Sequence, residues 1–568
     1  MSAVETAAPS KPRAWAVRPL PLLWLLAFVG GAAFRLFQYL PNRSLWLDEA
    51  LLVPLVERPW RALLDPRVSG PTPLGFVWAT KAVVAVLGSA EWAWRLLPLL
   101  AGLGALVAVT ALARRVLSPW GAVVAVAFLA VAPYPIYYSS EFKHYSVDLL
   151  AAALVLLGAL EARRTALWAG RPWQALAMAV GAAALVSLSY TAALVLGGAM
   201  AALAVAGWRA GDPRLARRAA AVCLPLGLSA VVAAAALPRV LQLSYLEAFW
   251  RGGFWPLPPR TLGDLAWLPK AFLWAMREPL GLLLLADTLW GRWVLPLALL
   301  ALIAIGTLAR VRSGRRADAA LLWAPVLAGL AASALRLYPF GAAWVTAGRS
   351  LMYLIPSFAV LVGAGVVGVA QAAATFARRL GAGPARVQAA AAASGVVAAA
   401  LGLVPGLVED VVAIPYARAE WRSIVGYVAS HRRPDEVVFV HYDAAPILRY
   451  YAPRFGLPPD RLVWGRCARE RPVDYVRQLE RLRGRRVWVL IGGGVGARRF
   501  PEKELILAYL EARGTRLDDR WAIGATAYLY DLGRPRAPFR AVVARVPIGA
   551  GESCALWDPF TAAVAPNP

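Results

Sequence analysis

Cysteine, histidine and lysine are all scarce in this chain of 568 residues, which holds three Cys, three His and only five Lys. Cys223 lies in an apolar run, and Cys467 and Cys554 stand far apart in the C-terminal part, so no spacing of metal-ligand type is present. With five lysines among 60 basic residues, a single lysine carries information that a single arginine does not. Acid is also short: 33 Asp and Glu against 60 Lys and Arg leave a net charge of +27. The arginines fall in short clusters between apolar runs, which is how cytoplasmic loops meet anionic lipid, and this argues against a nucleic-acid partner. The short alternating strands of a membrane barrel are missing too. What is abundant is hydrophobic residue, 60% of the chain, with a mean hydropathy of +0.57. Continuous apolar runs of roughly 17–25 residues, the length that crosses a bilayer, recur from Leu20 to Leu407. The fold class is a polytopic α-helical membrane protein.

Arginine clusters orient the chain. They lie in the polar tail 1–19, at Arg114–Arg115, Arg163–Arg171, Arg209–Arg218, Arg310–Arg316 and Arg378–Arg386. If all six face the cytoplasm, an even number of spans separates each from the next. Spans near 20–40, 93–113, 119–138, 146–162, 219–238, 289–309, 318–336, 350–374 and 387–407, plus two from the run 173–207 divided at "SLSYT", meet that rule. They make about eleven transmembrane helices, with a cytoplasmic N-terminus and outside loops at 41–92 and 239–288. The first run exceeds a signal-peptide core and lacks a clear cleavage site, so it reads as an uncleaved span. "PTPLGFVWATKAVVAVLG" (71–88) is short and carries Lys81; it reads as an interfacial or re-entrant helix on the outer face. From 408 to 568 polar residues increase. Strand-like runs at 436–441, 485–492 and 525–532 alternate with "DYVRQLERLRG" and "EKELILAYLEARG", which predicts a soluble extracytoplasmic α/β domain with a Pro/Gly-rich tail.

This threading gathers the unusual polar residues at one membrane face: Asp48, Glu49, Lys81, Glu141, Lys143, His144, Tyr145, Asp148 and Arg349. Charges of both signs at span ends point to a hydrated cavity, able to hold a lipid phosphate and to deprotonate a nucleophile. Several of these residues also have a plainer reading. Asp48 and Glu49 suit the N-terminus of a following helix, Lys143 and His144 suit snorkelling to the interface, and Asp148 suits pairing with Lys143 or a neighbouring span. Arg349 is harder to explain away, since a basic residue at an outside span end opposes the orientation rule. Two features read as decoys. "IGGGVG" (491–496) lacks the Walker lysine and reads as a turn, and His431 and His441, with Asp435 and Asp443, read as an ordinary strand edge.

"SLWLDEA" after the first span resembles the first-loop motif of the GT-C membrane glycosyltransferases, especially the protein O-mannosyltransferase class (glycosyltransferase family 39) and the lipid A aminoarabinose transferases. "GPTPLGFVWATK" is similar to the family's Pro-Pro-Leu segment, with Thr72 replacing one proline. "APYPIYYSSEFKHYSVDLL" resembles its Tyr-Tyr-Ser stretch, with Lys143 where Arg is commoner, and "YPFGAAWVTAGRSLMYLIP" resembles its late Gly-Arg segment. The likeness covers most of 20–375 and implies a GT-C-like transmembrane domain at 20–407. It implies an inverting transferase that takes a sugar from a polyprenyl-phosphate donor to an extracytoplasmic protein, lipid or glycan. Asp48 would be the general base and Glu49 its support; Lys143, Arg349, His144 and Lys81 would hold the phosphate, backed by Glu141, Tyr145 and Asp148. Relatives differ over a divalent cation, and the resemblance leaves Mg²⁺ or Mn²⁺ on Asp48 and Asp148 open. The rival reading is a polytopic lipid transporter or flippase, which predicts internal repeats and charge near the midplane. The Trp-rich loop 245–275 and the C-terminal domain, both outside, are expected to shape acceptor choice.

Overall fold

A computed structural model describes residues 20–64, 72–164, 172–209, 250–277, 285, 287–341, 347–492, 502–533 and 554. The apolar runs fold as helices, since a backbone crossing hydrocarbon must satisfy its own hydrogen bonds. Among the described residues, eight helices are long and apolar enough to cross a membrane: Leu20–Tyr39, Glu91–Val116, Tyr145–Arg163, Thr191–Arg209, Trp290–Arg312, Arg316–Ala334, Gly348–Arg379 and Pro384–Ala413. The chain is a multi-pass membrane protein.

Of the eleven expected spans, eight stand among the described residues, and two of the other three differ for local reasons. The run 119–138 breaks into Pro119–Ala130 and Pro133–Tyr138, because Pro133 and Pro135 lack the N–H that would continue the first helix. The run 173–207 divides at Ser189–Tyr190 into Pro172–Leu188 and Thr191–Arg209, and the first of these is slightly short of a span. The segment 219–238, most of the Arg209–Arg218 cluster and the tail 1–19 lie outside the described residues. Leu74–Leu87, at 14 residues, extends about 21 Å and is too short to cross; it packs on Val53–Glu57 and Glu91–Val116 through Phe76, Val77 and Thr80.

Helix Ile355–Arg379 is the centre of the bundle, packed on Leu295–Arg312, Pro384–Ala413 and Pro119–Ala130. Its approach to Pro119–Ala130 depends on small residues. A Cβ added at Gly363 would strike the carbonyl oxygen of Gly121, so the two backbones touch only because neither residue has a side chain.

After Ala413 the chain builds a five-stranded sheet, in the order β2-β1-β3-β5-β4. β1 (Val437–Val440) pairs in parallel with β2 (Leu462–Trp464) and β3 (Arg486–Gly492), while β5 (Ala525–Asp531) runs antiparallel to β3 and to β4 (Thr515–Ala522). The sequence pattern missed β2 and β4. Both are edges, and β4 carries "TRLDDRWA", whose charges blunt an exposed edge and hide its strand character. Helices Val473–Glu480 and Glu502–Arg513 cover the sheet, the second ending just before Gly514. Cys467 and Cys554 form a disulfide across 87 residues. "IGGGVG" begins at the end of β3, and its last four residues lie outside the described ones.

The sheet domain and the first loop share one hydrophobic core, in which Leu45, Trp46 and Leu47 pack with Trp421, Val425 and Tyr451. Polar bonds secure the contact. Tyr451 Oη accepts from the Leu45 amide at 2.8 Å, Ser44 Oγ donates to Glu420 at 2.8 Å, and Arg422 Nε donates to Glu91 at 2.9 Å. The sheet domain thus sits at the end of the bundle that carries Asp48.

Candidate active site

The site is built from the first loop outward. Helix Leu47–Ala50 is a single turn, so Asp48 and Glu49 point in different directions. Glu49 is fully buried and fully occupied. Its carboxylate accepts from Arg95 Nε at 2.7 Å and Nη2 at 2.6 Å, from the Phe142 amide at 2.7 Å, and from the Trp46 amide at 3.3 Å. The last bond is a helix-cap contact, so the plain capping reading describes Glu49. A carboxylate with four donors has no capacity left for a cation; Glu49 locks two loops together behind Asp48.

Asp48 faces the other way and meets Arg349, whose Nη1 donates to Oδ2 at 2.8 Å. Burial alone would raise the Asp48 carboxyl, but Lys143, Arg349 and Arg418 together hold it below the usual carboxylate range. Lys143 comes from a tight turn in which its amide donates to the Glu141 carbonyl at 2.6 Å. The Phe142 amide bond to Glu49 anchors that turn, and the Phe142 ring packs on Trp94 and Phe76, with centroids 5.1 and 6.0 Å away. With Phe142 fixed in the apolar core, its neighbour Lys143 acts on Asp48. Burial, then the field of Arg349, lower the Lys143 ammonium, and Asp48 opposes the shift.

The other expected residues divide. Glu141 is fully buried, and burial followed by the nearby Glu49 raises its carboxyl against the pull of Arg418. Tyr145 lies under the Arg349 guanidinium at 5.9 Å, and Trp250, from the Trp-rich loop, lies 6.0 Å from the same group. Asp148 accepts from Ser189 Oγ at 2.6 Å, so it pairs with the neighbouring helix break rather than with Lys143. His144 does not suit a cationic phosphate ligand. Burial, then Lys143 and Arg349, push its imidazole down to about 3, and it packs between Phe76 and Tyr145 as a neutral ring. Lys81 is used elsewhere: its ammonium donates to the Val56 carbonyl at 2.9 Å and sits 5.5 Å from the Trp60 ring, bracing the first loop. Among the described residues, buried polar atoms without hydrogen-bond partners concentrate here, namely both Glu141 oxygens, Asp148 Oδ2, Arg349 Nε, His144 Nδ1 and the hydroxyls of Tyr137, Tyr138 and Tyr353. Such atoms are costly unless water or a substrate meets them.

A divalent ion fits this donor set poorly. Among the described residues no three His, Cys, Asp or Glu side chains group to hold one. Asp48 stands in the field of three cations, so a further double positive charge would meet repulsion there, and Asp148 Oδ1 already accepts from the Ser189 hydroxyl. His441 and Asp443 form a buried contact of 2.6 Å at the end of β1, with Glu502 beside them held by Arg469 at 2.6 Å; His431 lies exposed on a helix end.

Sequence reading missed Arg43, Arg95 and Arg418. Arg43 donates to Ser140 Oγ at 2.9 Å and to its carbonyl at 2.8 Å. Arg418 lies 4.3 Å from the Trp46 ring and 4.7 Å from the Tyr137 ring. The signal was available: all three are basic residues near span ends that the sequence threading expects outside, the same exception that singled out Arg349.

Residues 71–236 match the family model described as dolichyl-phosphate-mannose-protein mannosyltransferase. No curated relative matches the chain. Among solved structures, the chain is similar to an Archaeoglobus fulgidus oligosaccharyltransferase tethered with an acceptor peptide, at 14% identity and a TM-score of 0.48, covering 91% of this chain and 74% of that one. It is also similar to ArnT from Cupriavidus metallidurans, in the apo state at 14% identity and a TM-score of 0.44, covering 91% and 97%. The same ArnT bound to undecaprenyl phosphate gives 14% and 0.41, covering 91% and 98%. The matched segment spans the loops that carry Glu141, Lys143 and Asp148, with "SLWLDEA" just ahead of it, and this part of the chain is similar to a family of membrane mannosyltransferases.

Proposed function

We propose that this chain is an inverting transferase that takes a sugar from a polyprenyl-phosphate donor and places it on an acceptor outside the membrane. The observation that carries the reading is the contact of Arg349 with Asp48, with Lys143 acting on the same carboxylate, at the mouth of a helical bundle lined by unpartnered polar atoms. The donor's chain lies in hydrocarbon and its phosphate takes Lys143 and Arg349 through charge-assisted bonds. Asp48 removes a proton from the acceptor hydroxyl or amine. The acceptor atom bonds to the anomeric carbon, the bond from that carbon to the phosphate oxygen breaks, and the polyprenyl phosphate leaves with the electron pair. One displacement inverts the anomeric centre.

In the resting pair Arg349 reduces the basicity of Asp48. A donor phosphate that draws Arg349 toward itself returns that basicity to Asp48 when the acceptor arrives. Trp250 beside Arg349 gives the Trp-rich loop a place near the acceptor, where an aromatic face suits a sugar ring. The disulfide supports an outside position for the C-terminal domain, because such bonds persist in oxidising compartments, and the arginine clusters support a cytoplasmic N-terminus in the plasma (inner) membrane.

Reconstituting the purified protein with a polyprenyl-phosphate sugar and candidate acceptors tests the reading. Sugar transfer with anomeric inversion, lost in Asp48→Asn, is expected. Release of no sugar from any lipid-phosphate donor, alongside normal folding, would count against it. Mass spectrometry of envelope glycans with and without the gene identifies the acceptor.

A further inference from the structure

The chamber holds more positive charge than its own residues neutralise. Glu49 and Arg95 cancel each other. Among the described residues, four cations, Arg43, Lys143, Arg349 and Arg418, stand around them against two carboxylates, Asp48 and Glu141, an excess of two positive charges (four less two). Buried charge in excess calls for an anion. A phosphodiester donor brings one negative charge and a departing phosphate monoester approaches two, so the excess suits the leaving group better than the donor. Charge that matches the product of bond breaking speeds the breaking.

Arg418 is the member of this set that the helical bundle does not supply. Among the described residues its guanidinium makes no ion pair, and the Trp46 and Tyr137 rings lie against it at 4.3 and 4.7 Å. Contact with two aromatic faces fixes the guanidinium plane beside the Tyr138 hydroxyl, and its five N–H donors exceed what that hydroxyl can take. The backbone is equally constrained. The Glu420 amide donates to the Ile523 carbonyl at 2.8 Å, and Gly524, at φ 62° in the β4–β5 turn, sits so close that a Cβ there would strike the Arg418 carbonyl oxygen. The sheet domain therefore holds Arg418 against the first loop.

We propose that Arg418 is a ligand of the leaving lipid phosphate, so that the C-terminal domain completes the donor site instead of only covering it. The inference rests on the glycosyl-transfer reading above.

The test measures binding of undecaprenyl phosphate and of undecaprenol to the full-length protein in detergent, with melting temperature followed in parallel. Wild type is expected to prefer the phosphate, and Arg418→Ala to bind it roughly 10–100-fold more weakly while binding the alcohol equally well. Gly524→Val keeps the charge but displaces it, and should weaken phosphate binding in the same sense. Arg418→Lys, for use where alanine fails to fold, should weaken it by several fold, because an ammonium cannot reproduce the planar fork. Phosphate affinity within two-fold of wild type in folded Arg418 and Gly524 variants would overturn the proposal and leave the transfer reading standing. Ready displacement of the lipid phosphate by inorganic phosphate at comparable concentration would assign Arg418 to free anions and overturn it too. A wild type that cannot tell the phosphate from the alcohol would defeat the donor reading itself, and this inference with it.

Discussion

Arg349 Nη1 lies 2.8 Å from Asp48 Oδ2, joining two side chains that are 301 residues apart in sequence. The contact closes the chamber between the first loop and the start of helix Ile355–Arg379. It makes Asp48 a paired anion at rest, and Glu49, its sequence neighbour, has no part in that pairing.

Asp48→Asn removes the proposed base and keeps the shape. Its side chain is 24% exposed and it is not a keystone of the core, so melting temperature should change little. Turnover should fall by roughly 10²–10⁴-fold. Near-normal turnover in a folded mutant would remove Asp48 from the chemistry.

Arg349→Ala should raise KM for the donor more than KM for the acceptor. It should also move the acid limb of the pH–rate profile. Arg349 is one of three cations that depress the Asp48 carboxyl, so removing it raises that carboxyl, and activity should be lost at a higher pH than in wild type. An acid limb that stays in place would separate Arg349 from Asp48 ionisation.

Glu49→Gln is expected to act on stability first. It leaves Arg95 as a fully buried charge without its partner, a loss of about 3–5 kcal/mol in comparable buried pairs. Denaturant or thermal unfolding in detergent should show this loss. A variant that is as stable as wild type but inactive would instead give Glu49 a direct role.

His144 should be silent near neutrality. Its folded imidazole protonates only at about 3, whereas an unfolded histidine does so near 6.5, so the unfolded chain binds the proton first as pH falls. Its contribution is present above about pH 6.5 and is lost progressively below it. His144→Asn should flatten the acid decline in melting temperature without shifting the pH–rate profile between pH 6.5 and 8. A wild-type rate limb near 6.5 that vanishes in this mutant would show a titrating His144.

The Cys467–Cys554 crosslink spans 87 residues, and its removal by paired serine substitution should cost about 2–4 kcal/mol of C-terminal domain stability. In intact cells, a membrane-impermeant thiol reagent should label both cysteines only after reduction. Labelling that requires a permeabilised membrane would reverse the orientation.

Composition and hydrophobic run length by themselves determined that this is a polytopic helical protein with an α/β tail domain, because bilayer thickness and the period of a strand leave their marks residue by residue. The same local logic singled out Asp48, Lys143 and Arg349 as charges near span ends, Arg349 being a basic residue where the orientation rule disfavours one. It missed β2, an apolar edge strand of three residues, and β4, whose charges hide its strand character, and it did not register the break at Pro133 within 119–138. Tertiary structure alone decided how adjacent acids divide, with Glu49 spent on Arg95 and Asp48 left to the chamber, since that depends on which way one helical turn faces. It also withdrew Lys81 and neutralised His144, and it brought Arg418 from the far domain to Trp46 and Tyr137. Burial and partnership are properties of space, and no stretch of sequence contains both partners of a contact that spans hundreds of residues.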